Sequence, residues 1–427
     1  MTGPGQSLDH LGRRRVVLTG IGVVTPAGCD LDTFTDTVMA GRPTAAPVTR
    51  FDPSRLPTRF ACQVSGFDPG RYLSGKDLRR ADLFAQYALC AALDALADAG
   101  TPSCAPVRGG IVCGSSFGGA HSYAVQALNC RDRGPTEVSP LTTTLLIPNS
   151  AAAFIGMKLD WHGPSITLST ACASGIDAIS TGVGLIRDGR CDLVLAGATD
   201  SAGVSEVMMA AFCQSDALST RNDDVATASR PFSVGRDGYV MGEGAAFLAL
   251  EPLDGALDRG ARIYAEIAGT AQSTDSHHLT APNPTGKWVT TCMNTAITDA
   301  GLTCADIGSI NAHGPSTPLG DAMEARALIA AFDGAPPPVT SSKGVFGHLM
   351  GASGAAEAAV AALTVYRGLV PPTAGHEKLA EDCEGLDVVT GGAPRYTGCL
   401  PVLSNSFGLG GQNSCVILAP PGYRSLS

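Results

Sequence analysis

Short apolar runs bounded by glycine alternate along this chain with segments of helical periodicity. Residues 16–24 have the pattern of a buried strand, and shorter runs at 110–113 and 193–196 share it. Each run precedes a helical stretch, and this alternation predicts an α/β protein. The segment 82–96 consists almost entirely of strong helix formers and is apolar around most of its circumference, which predicts a buried helix.

The second half of the chain repeats this pattern more loosely. Residues 264–269 resemble the opening strand, and residues 309–313 resemble the strand that leads to Cys172. Two similar halves are therefore expected, joined near the polar, glycine-punctuated segment 253–262. The predicted N-terminal and C-terminal halves are residues 1–257 and 258–427.

Cys172 lies where a strand-like run gives way to a helical one, in the sequence SITLSTACASGIDAI. Apolar residues recur at helical spacing after it, so the cysteine is expected at a helix N-terminus: Ile176, Ile179, Val183 and Ile186. Backbone N–H groups and the helix dipole there favour a thiolate, and the small neighbouring residues leave room for a substrate. Free cysteines are most often buried and inert, but this context favours a nucleophile at Cys172.

Two histidines occur in segments rich in turn formers and small residues. His313 lies in NAHGPSTPLGD, and His348 lies in SSKGVFGHLMGASG, just before a helical segment at 355–366. Both rings are expected to face a cleft. His277 and His278 remain undecided from spacing, and four other histidines are expected to be structural: His10, His121, His162 and His376.

A third segment, residues 404–413, is a glycine-rich stretch between two strand-like runs. It has neither a dinucleotide fingerprint nor a phosphate-binding loop motif, which disfavours phosphate binding. We therefore expect its backbone N–H groups to form an oxyanion hole.

Composition narrows the class of protein. The 427 residues are 44% hydrophobic and 16% charged, which excludes a disordered chain, and no apolar run reaches the length of a membrane helix. The start lacks the pattern of a signal peptide, so we expect a cytoplasmic protein. The fourteen cysteines include no CxxC pair, so we expect reduced thiols and no structural metal site.

The formal net charge of −10 disfavours nucleic acid as a partner. A local positive spot is formed by Lys76, Arg79 and Arg80 together with Arg221. This spot fits either one acidic partner or an ordinary solvated helix start.

These segments together resemble the β-ketoacyl-acyl-carrier-protein synthases, condensing enzymes of the thiolase superfamily, and most closely the fatty-acid synthase II type and its type II polyketide relatives. The resemblance covers essentially the whole chain and rests on motifs in the family's order: VVLTGIGVVTP, TACASG, RPFSVGRDGYVMGEGA, NAHGPSTPLGD, SSKGVFGHLMGASG and NSFGLGG. It implies a thiolase-like, five-layered αβαβα fold of two similar halves.

The resemblance also implies a catalytic role for each of several residues. Cys172 would accept an acyl chain as a thioester, and His313 and His348 would stabilise the enolate formed when a malonyl thioester loses carbon dioxide. The backbone N–H groups of Cys172 and Phe407 would bind an oxyanion, and the Phe407 ring would gate the two stages. Lys343, paired with Glu324, would hold the histidines.

Partners follow from the same resemblance. Thr280 and Thr317, with His278 as a further candidate, match positions that contact the phosphopantetheine arm of acyl carrier protein. The positive spot matches the surface that receives this acidic carrier. Neither a metal nor a cofactor bound to the chain is expected, because the pantetheine arm belongs to the carrier.

Three residues depart from the family pattern. Pro315 replaces a threonine, Gly344 replaces a serine, and Phe117 stands where the fatty-acid enzymes often carry isoleucine at the floor of the acyl pocket. A phenyl ring there shortens the pocket and favours a type II polyketide ketosynthase, working as a homodimer or beside a chain-length-factor-like homologue. The alternatives are a fatty-acid synthase II, a catalytically silent partner, and a thiolase, for which Cys415 is a poorly placed second cysteine.

Overall fold

The computed structural model describes residues 7–423. Within that range the chain forms fourteen strands: β1 (Val16–Val24), β2 (Ala46–Pro47), β3 (Phe60–Ala61), β4 (Gly109–Gly114), β5 (Ser165–Leu168), β6 (Leu193–Asp200), β7 (Gly244–Pro252), β8 (Ala265–Thr274), β9 (Ser309–Asn311), β10 (Val339–Thr340), β11 (Leu369–Val370), β12 (Arg395–Tyr396), β13 (Val402–Gly408) and β14 (Gln412–Ala419).

The same residues form thirteen α-helices: α1 (Leu31–Met39), α2 (Gly75–Leu78), α3 (Leu83–Asp98), α4 (Ala120–Arg133), α5 (Thr142–Leu146), α6 (Ser150–Leu159), α7 (Ser174–Arg187), α8 (Glu206–Gln214), α9 (Leu253–Asp258), α10 (Lys287–Asp299), α11 (Pro318–Ala331), α12 (Lys343–Phe346) and α13 (Ser353–Arg367). None of the helices described here is long and apolar enough to cross a bilayer.

Ten of the described strands join in the order β10-β9-β13-β14-β8-β1-β7-β6-β4-β5. The two five-strand halves of this sheet have the same topology. In each, the first strand pairs antiparallel with the last, the last pairs antiparallel with the fourth, and the remaining pairs are parallel. The halves meet where β1 pairs with β8. The expected repeat is confirmed, whereas a boundary between residues 257 and 258 stays a prediction.

Five layers follow from how the helices cover this sheet. Helices α7 and α13 pack against each other and lie between the two halves of the sheet, in a central core that includes Ile176 and Val360. Helices α3 and α6 cover the outer face of the first half, and α10 and α11 cover that of the second. The predicted αβαβα arrangement is confirmed.

Individual elements agree with the sequence pattern where the pattern is regular. Strand β1 has the predicted bounds, and α3 begins after Asp82, whose side chain accepts a hydrogen bond from the backbone N–H of Phe84 at 3.2 Å. Segment 253–262, expected to be only a polar join, contains α9.

Two sequence interpretations need correction. Residues 404–408 are strand rather than loop, because β13 and β14 pair as a hairpin with Phe407 opposite Asn413, and only residues 409–411 form the turn. In addition, the strand before His313 is not the counterpart of the strand before Cys172. Cys172 follows β5, whose topological counterpart is β10, whereas β9 corresponds to β4.

Candidate active site

Cys172 occupies a tight turn between β5 and α7. The preceding residue, Ala171, has a φ of 50°, a left-handed conformation that is strained for a residue with a Cβ. The Ser174 hydroxyl holds the turn, since it accepts from the backbone N–H of Thr170 at 2.9 Å and donates to the Ala171 carbonyl at 2.6 Å. The predicted position of Cys172 at a strand-to-helix turn is confirmed.

The thiol of Cys172 is nearly enclosed, with 7% of the residue exposed. Burial raises the pKa of this thiol to about 11, while the positive charge of Lys343 and the backbone N–H of Leu409 act in the opposite direction. The expectation that the helix start favours a thiolate is therefore not met in the resting site, because burial outweighs the positive neighbours. The proton must leave as the sulfur attacks.

His313 follows β9 and is buried. The ammonium group of Lys343 lies 3.3 Å from His313 Nδ1 and donates to the His313 carbonyl at 2.6 Å. Because an ammonium group has only donors, Nδ1 must accept, and the ring proton is then on Nε2. His313 is thus arranged as a neutral donor through Nε2.

His348 lies in the loop between α12 and α13 and is also buried. Its Nδ1 is 2.8 Å from the Ser353 hydroxyl, and its ring centroid is 5.4 Å from that of His313 at an interplanar angle of 83°. Burial, together with the charge of Lys343, lowers the pKa of both imidazoles well below the usual value. The site therefore holds two neutral histidines at neutral pH.

The expected pairing of Lys343 with Glu324 is wrong. Lys343 forms its ion pair with Glu357 on α13. The Glu324 carboxylate is already taken, because it accepts from the backbone N–H groups of His313 and Gly314 at 2.9 and 2.7 Å and from the Asn405 amide at 3.3 Å. Glu324 fixes the backbone of His313 instead of the ammonium group.

Sequence reasoning missed Glu357 and Ser353. Both lie on α13 four residues apart, so they share one face of that helix. Burial raises the pKa of Glu357 to about 7 against the opposing charge of Lys343. The available signal was a lone acidic residue in the apolar sequence GAAEAAVAAL.

Phe407 is the penultimate residue of β13, and its ring centroid lies 5.5 Å from that of His313. Nearby, the departure at Gly344 has a steric reason. A Cβ at this position would lie 2.3 Å from the carbonyl oxygen of Ala374, so a serine does not fit without a backbone shift.

The three pantetheine candidates lie in two places. Thr280 and His278 are exposed, and His278 Nδ1 accepts from the backbone N–H of Thr280 at 3.1 Å. The intervening Leu279 carbonyl accepts from Gly410 at 2.9 Å, which places this segment beside the 409–411 turn next to Cys172. Thr317 is half-buried and caps α11, where its hydroxyl accepts from Gly320 at 3.2 Å.

Phe117 is connected to the site by a row of aromatic rings. Its centroid lies 6.1 Å from that of Phe212, which lies 6.0 Å from that of Tyr239, which in turn lies 5.2 Å from that of His348. All three contacts are edge-on. Phe212 and Tyr239 are further site residues that sequence reasoning missed.

The positive residues come from two segments of the chain. Lys76, Arg79 and Arg80 are exposed on and just after α2, and within residues 7–423 none of the three forms an ion pair. Arg221 belongs to another segment, where its guanidinium donates to the Gly235 carbonyl at 3.0 Å. In the same range there is no cluster of three or more His, Cys, Asp or Glu side chains that could hold a metal ion.

Family models match most of the chain. Residues 13–256 match the β-ketoacyl synthase N-terminal domain, and residues 264–377 match the β-ketoacyl synthase C-terminal domain. The chain is 39% identical over 412 residues to the 3-oxoacyl-[acyl-carrier-protein] synthase 2 of Coxiella burnetii, which covers 95% of this chain and 99% of the relative. The corresponding enzyme of Synechocystis is 38% identical over 410 residues, covering 95% and 98%.

Solved structures are similar over the same length. The ishigamide ketosynthase/chain length factor superposes with a TM-score of 0.90 at 34% identity, covering 96% of this chain and 99% of the other. A type II PKS ketosynthase, solved in complex with its acyl-carrier protein, has a TM-score of 0.86 at 28% identity, covering 96% and 100%. A β-ketoacyl synthase from Burkholderia phymatum has a TM-score of 0.88 at 34% identity, covering 95% and 99%.

Proposed function

The chain belongs to the β-ketoacyl synthase family, and we propose that it is the ketosynthase subunit of a type II polyketide system. It is a β-ketoacyl-acyl-carrier-protein synthase, an acyltransferase that forms a carbon–carbon bond by decarboxylative Claisen condensation. The observation that carries the residue assignment is the presence of two histidines, kept neutral by burial and by the charge of Lys343, beside a thiol at a helix start.

In the first half-reaction Cys172 takes the acyl group. Its sulfur attacks the thioester carbonyl of an acyl carrier protein and loses its proton, and the carrier leaves with a free pantetheine thiol. Backbone N–H groups of Cys172 and Phe407 stabilise the oxyanion of this step. The product is an acyl thioester on Cys172.

In the second half-reaction a malonyl thioester loses carbon dioxide. The electrons of the broken bond form an enolate, whose oxygen accepts hydrogen bonds from Nε2–H of His313 and of His348. The enolate carbon then attacks the acyl carbonyl on Cys172, the carbon–sulfur bond breaks, and the Cys172 thiolate that leaves takes up a proton from solvent. Two neutral donors suit this role, since decarboxylation generates the carbanion equivalent without a strong base.

Lys343, Glu357 and Glu324 act through the histidines. Lys343 fixes the tautomer of His313, Glu357 holds the ammonium group, and Glu324 holds the backbone of His313 and Gly314. Phe407 packs against His313, where a ring movement gates access between the two stages.

Acyl carrier protein supplies the phosphopantetheine arm, which Thr280, His278 and Thr317 contact at the rim. The carrier docks on Lys76, Arg79 and Arg80, with Arg221 as a second, separate contact. A cytoplasmic location fits the cysteines, all fourteen of which lie among the described residues and are unpaired there.

The chain pairs with a second ketosynthase-like subunit, either its own copy or a chain-length-factor-like homologue. The supporting surface lies at the β5 edge of the sheet, because β5 is only partly buried and none of the residues of α4 is buried. Exposed apolar side chains on α4 and α6 belong to this surface: Tyr123, Val125, Leu128 and Met157.

The polyketide assignment rests on Phe117, which closes the aromatic row beyond Tyr239 and Phe212. A fatty-acid synthase II remains the second candidate function, because the curated relatives given above carry that activity in their names. The two functions differ in the length of saturated chain that the pocket accepts.

Elongation of dodecanoyl acyl carrier protein by the purified chain separates them. We expect slow turnover by the native protein and faster turnover by Phe117→Ile, whose smaller side chain deepens the pocket. Phe67→Ile, in the outer core against Tyr87, is the matched control and should not change the rate. Efficient elongation by the native protein would overturn the polyketide assignment and leave the condensing activity intact.

A further inference from the structure

Tyr239 is held firmly beside the proposed site. Its backbone N–H donates to the Ala217 carbonyl at 3.0 Å, and its carbonyl accepts from the N–H of Ser219 at 3.0 Å. Its ring lies edge-on to both His348 and Phe212. The ring therefore has a fixed place between the histidine and the row that leads to Phe117.

The hydroxyl of Tyr239 has no hydrogen-bond partner among residues 7–423, although only 8% of the residue is exposed. Buried tyrosine hydroxyls usually have a partner. Burial raises the pKa of this phenol well above its usual value, and a negative charge on Cys172 would raise it further, which places Tyr239 within electrostatic range of the nucleophile. The hydroxyl is thus neutral and without a partner among the described residues, and its oxygen keeps enough accessible surface for an incoming group to reach it.

Tyr239 belongs to a buried cluster of apolar and sulfur-containing side chains that includes Val204, Met209, Cys213, Leu218, Met241 and Met350. An acyl chain that extends from Cys172 along the aromatic row would meet the phenol as a polar group beside this cluster. A saturated chain leaves the hydroxyl unsatisfied, whereas a chain with an oxygen substituent at this depth restores its hydrogen bond.

We propose that Tyr239 is a specificity-determining residue whose hydroxyl hydrogen-bonds a carbonyl or hydroxyl group on the acyl chain carried by Cys172. The inference rests on the proposed condensing role of Cys172 and names the class of chain that this pocket selects. Selection by such a hydroxyl is strong in one direction. A site built around a polar group rejects a chain that lacks the complementary polar group more strongly than an apolar site rejects a chain that carries an extra polar group.

The test compares two pantetheine thioesters of equal length, hexanoyl and 3-oxohexanoyl, as acyl donors to Cys172. Acyl occupancy over time is read by intact-protein mass spectrometry. The native protein should load the 3-oxo chain faster. Tyr239→Phe should lose roughly tenfold in loading of the 3-oxo chain, the value of one neutral hydrogen bond, and keep or improve its loading of hexanoyl.

Tyr264→Phe is the matched control, since Tyr264 is also buried but its hydroxyl already donates to Asp98 at 3.3 Å. This variant should keep the native ratio of the two loading rates. Thermal melting of each variant shows whether it is folded, and the ratio for the native protein tests the inference even if Tyr239→Phe unfolds.

Equal loading rates of the two chains by the native protein would overturn the inference. An equal loss of loading rate on both chains in Tyr239→Phe would also overturn it, because that result would indicate a packing role for the ring. The proposed function fails in a different way. If Cys172 loads neither thioester and no condensation with malonyl acyl carrier protein occurs, both proposals are wrong, whereas loading without discrimination removes only the role of Tyr239.

Discussion

At the scale of single residues, burial and one positive charge oppose each other at the thiol of Cys172 and act together at the two histidines. Cys172, His313 and His348 are all buried, and Lys343 is the charge that affects all three of their pKa values. The same charge favours the ionised thiol and disfavours the protonated imidazoles. One lysine thereby makes the proposed nucleophile easier to deprotonate and adds to the effect of burial in keeping both histidines neutral.

Replacing Lys343 by methionine should make Cys172 less reactive. With the pKa of the thiol at about 11 in the native protein, removal of the positive charge raises it further, so less thiolate is present at any pH below that value. We expect alkylation of Cys172 by iodoacetamide at pH 8 to slow by roughly threefold to tenfold. Peptide mass mapping distinguishes this thiol from the other thirteen, and Cys172→Ser gives the background.

The pH dependence of Cys172 alkylation in the native protein is a second test of the raised thiol pKa. Because the pKa of the thiol is raised, the alkylation rate should climb about tenfold per unit between pH 8 and pH 10 without reaching a plateau. A plateau below pH 9, or faster alkylation in Lys343→Met, would contradict the balance described above.

His348→Ala should separate the two half-reactions. In the proposed reaction the imidazole is needed when the enolate forms, whereas transfer of an acyl group to Cys172 does not use it. We expect acyl occupancy on Cys172 close to native and a loss of condensation of at least about a hundredfold. Mass spectrometry measures the first and product formation the second. A variant that cannot be acylated would contradict the assigned role.

At the scale of helices and strands, the site depends on close contact between α7 and α13. The sequence was sufficient to predict both helices, although apolar residues recur every three to four positions only in α7, whereas α13 is buried on nearly all sides. The side chains that face each other across the interface were not predictable. The sequence suggested Glu324 as the ion-pair partner of Lys343. Identifying the actual partner, Glu357, requires knowing which face of α13 is turned toward the end of β10.

Gly175 sets the distance between these two helices. A Cβ at this position would lie 2.3 Å from the backbone nitrogen of Ala355, so Gly175→Ala must push α13 away and should destabilise the fold by about 1–3 kcal/mol. Gly184 lies on the same helix with nothing within 4 Å of its Cβ position. Gly184→Ala should therefore stabilise by about 0.5–1 kcal/mol through helix propensity alone.

Chemical denaturation of the two variants measures both changes in the free energy of unfolding. Gly175→Ala should also lose condensing activity, since α7 begins two residues after Cys172 and α13 carries Ser353 and Glu357. Equal stability of the two variants would show that the helices are free to separate without cost.

At the scale of the whole molecule, the site exists only because the two halves meet. The first half supplies Cys172, and the second supplies both histidines, Lys343 and Phe407. The repeat was faint in the sequence, and one of its correspondences was assigned to the wrong strand, because the side chains of the two halves have diverged while strand order and direction have not. Pairing of β1 with β8 is a long-range property that no local pattern encodes.

The charge of the whole molecule constrains how a carrier protein approaches it. A body with a formal charge of −10 repels an acidic partner at long range, so we propose that the exposed cations on and just after α2 provide the local attraction. Reversing Arg79 and Arg80 to glutamate should raise KM for acyl carrier protein by about tenfold and leave kcat nearly unchanged. Turnover of a small pantetheine thioester should stay at the native level, because it does not use this surface.

Arg190→Glu is the control for this charge reversal, since Arg190 is exposed beyond the far end of α7, about 20 Å along that helix from Cys172. It alters the net charge in the same sense but not the surface around α2. Raised salt should weaken carrier binding to the native protein and to the control, and have little effect on the double variant. If all three proteins respond alike, the carrier is attracted by the overall field or docks elsewhere, and α2 is an ordinary solvated helix.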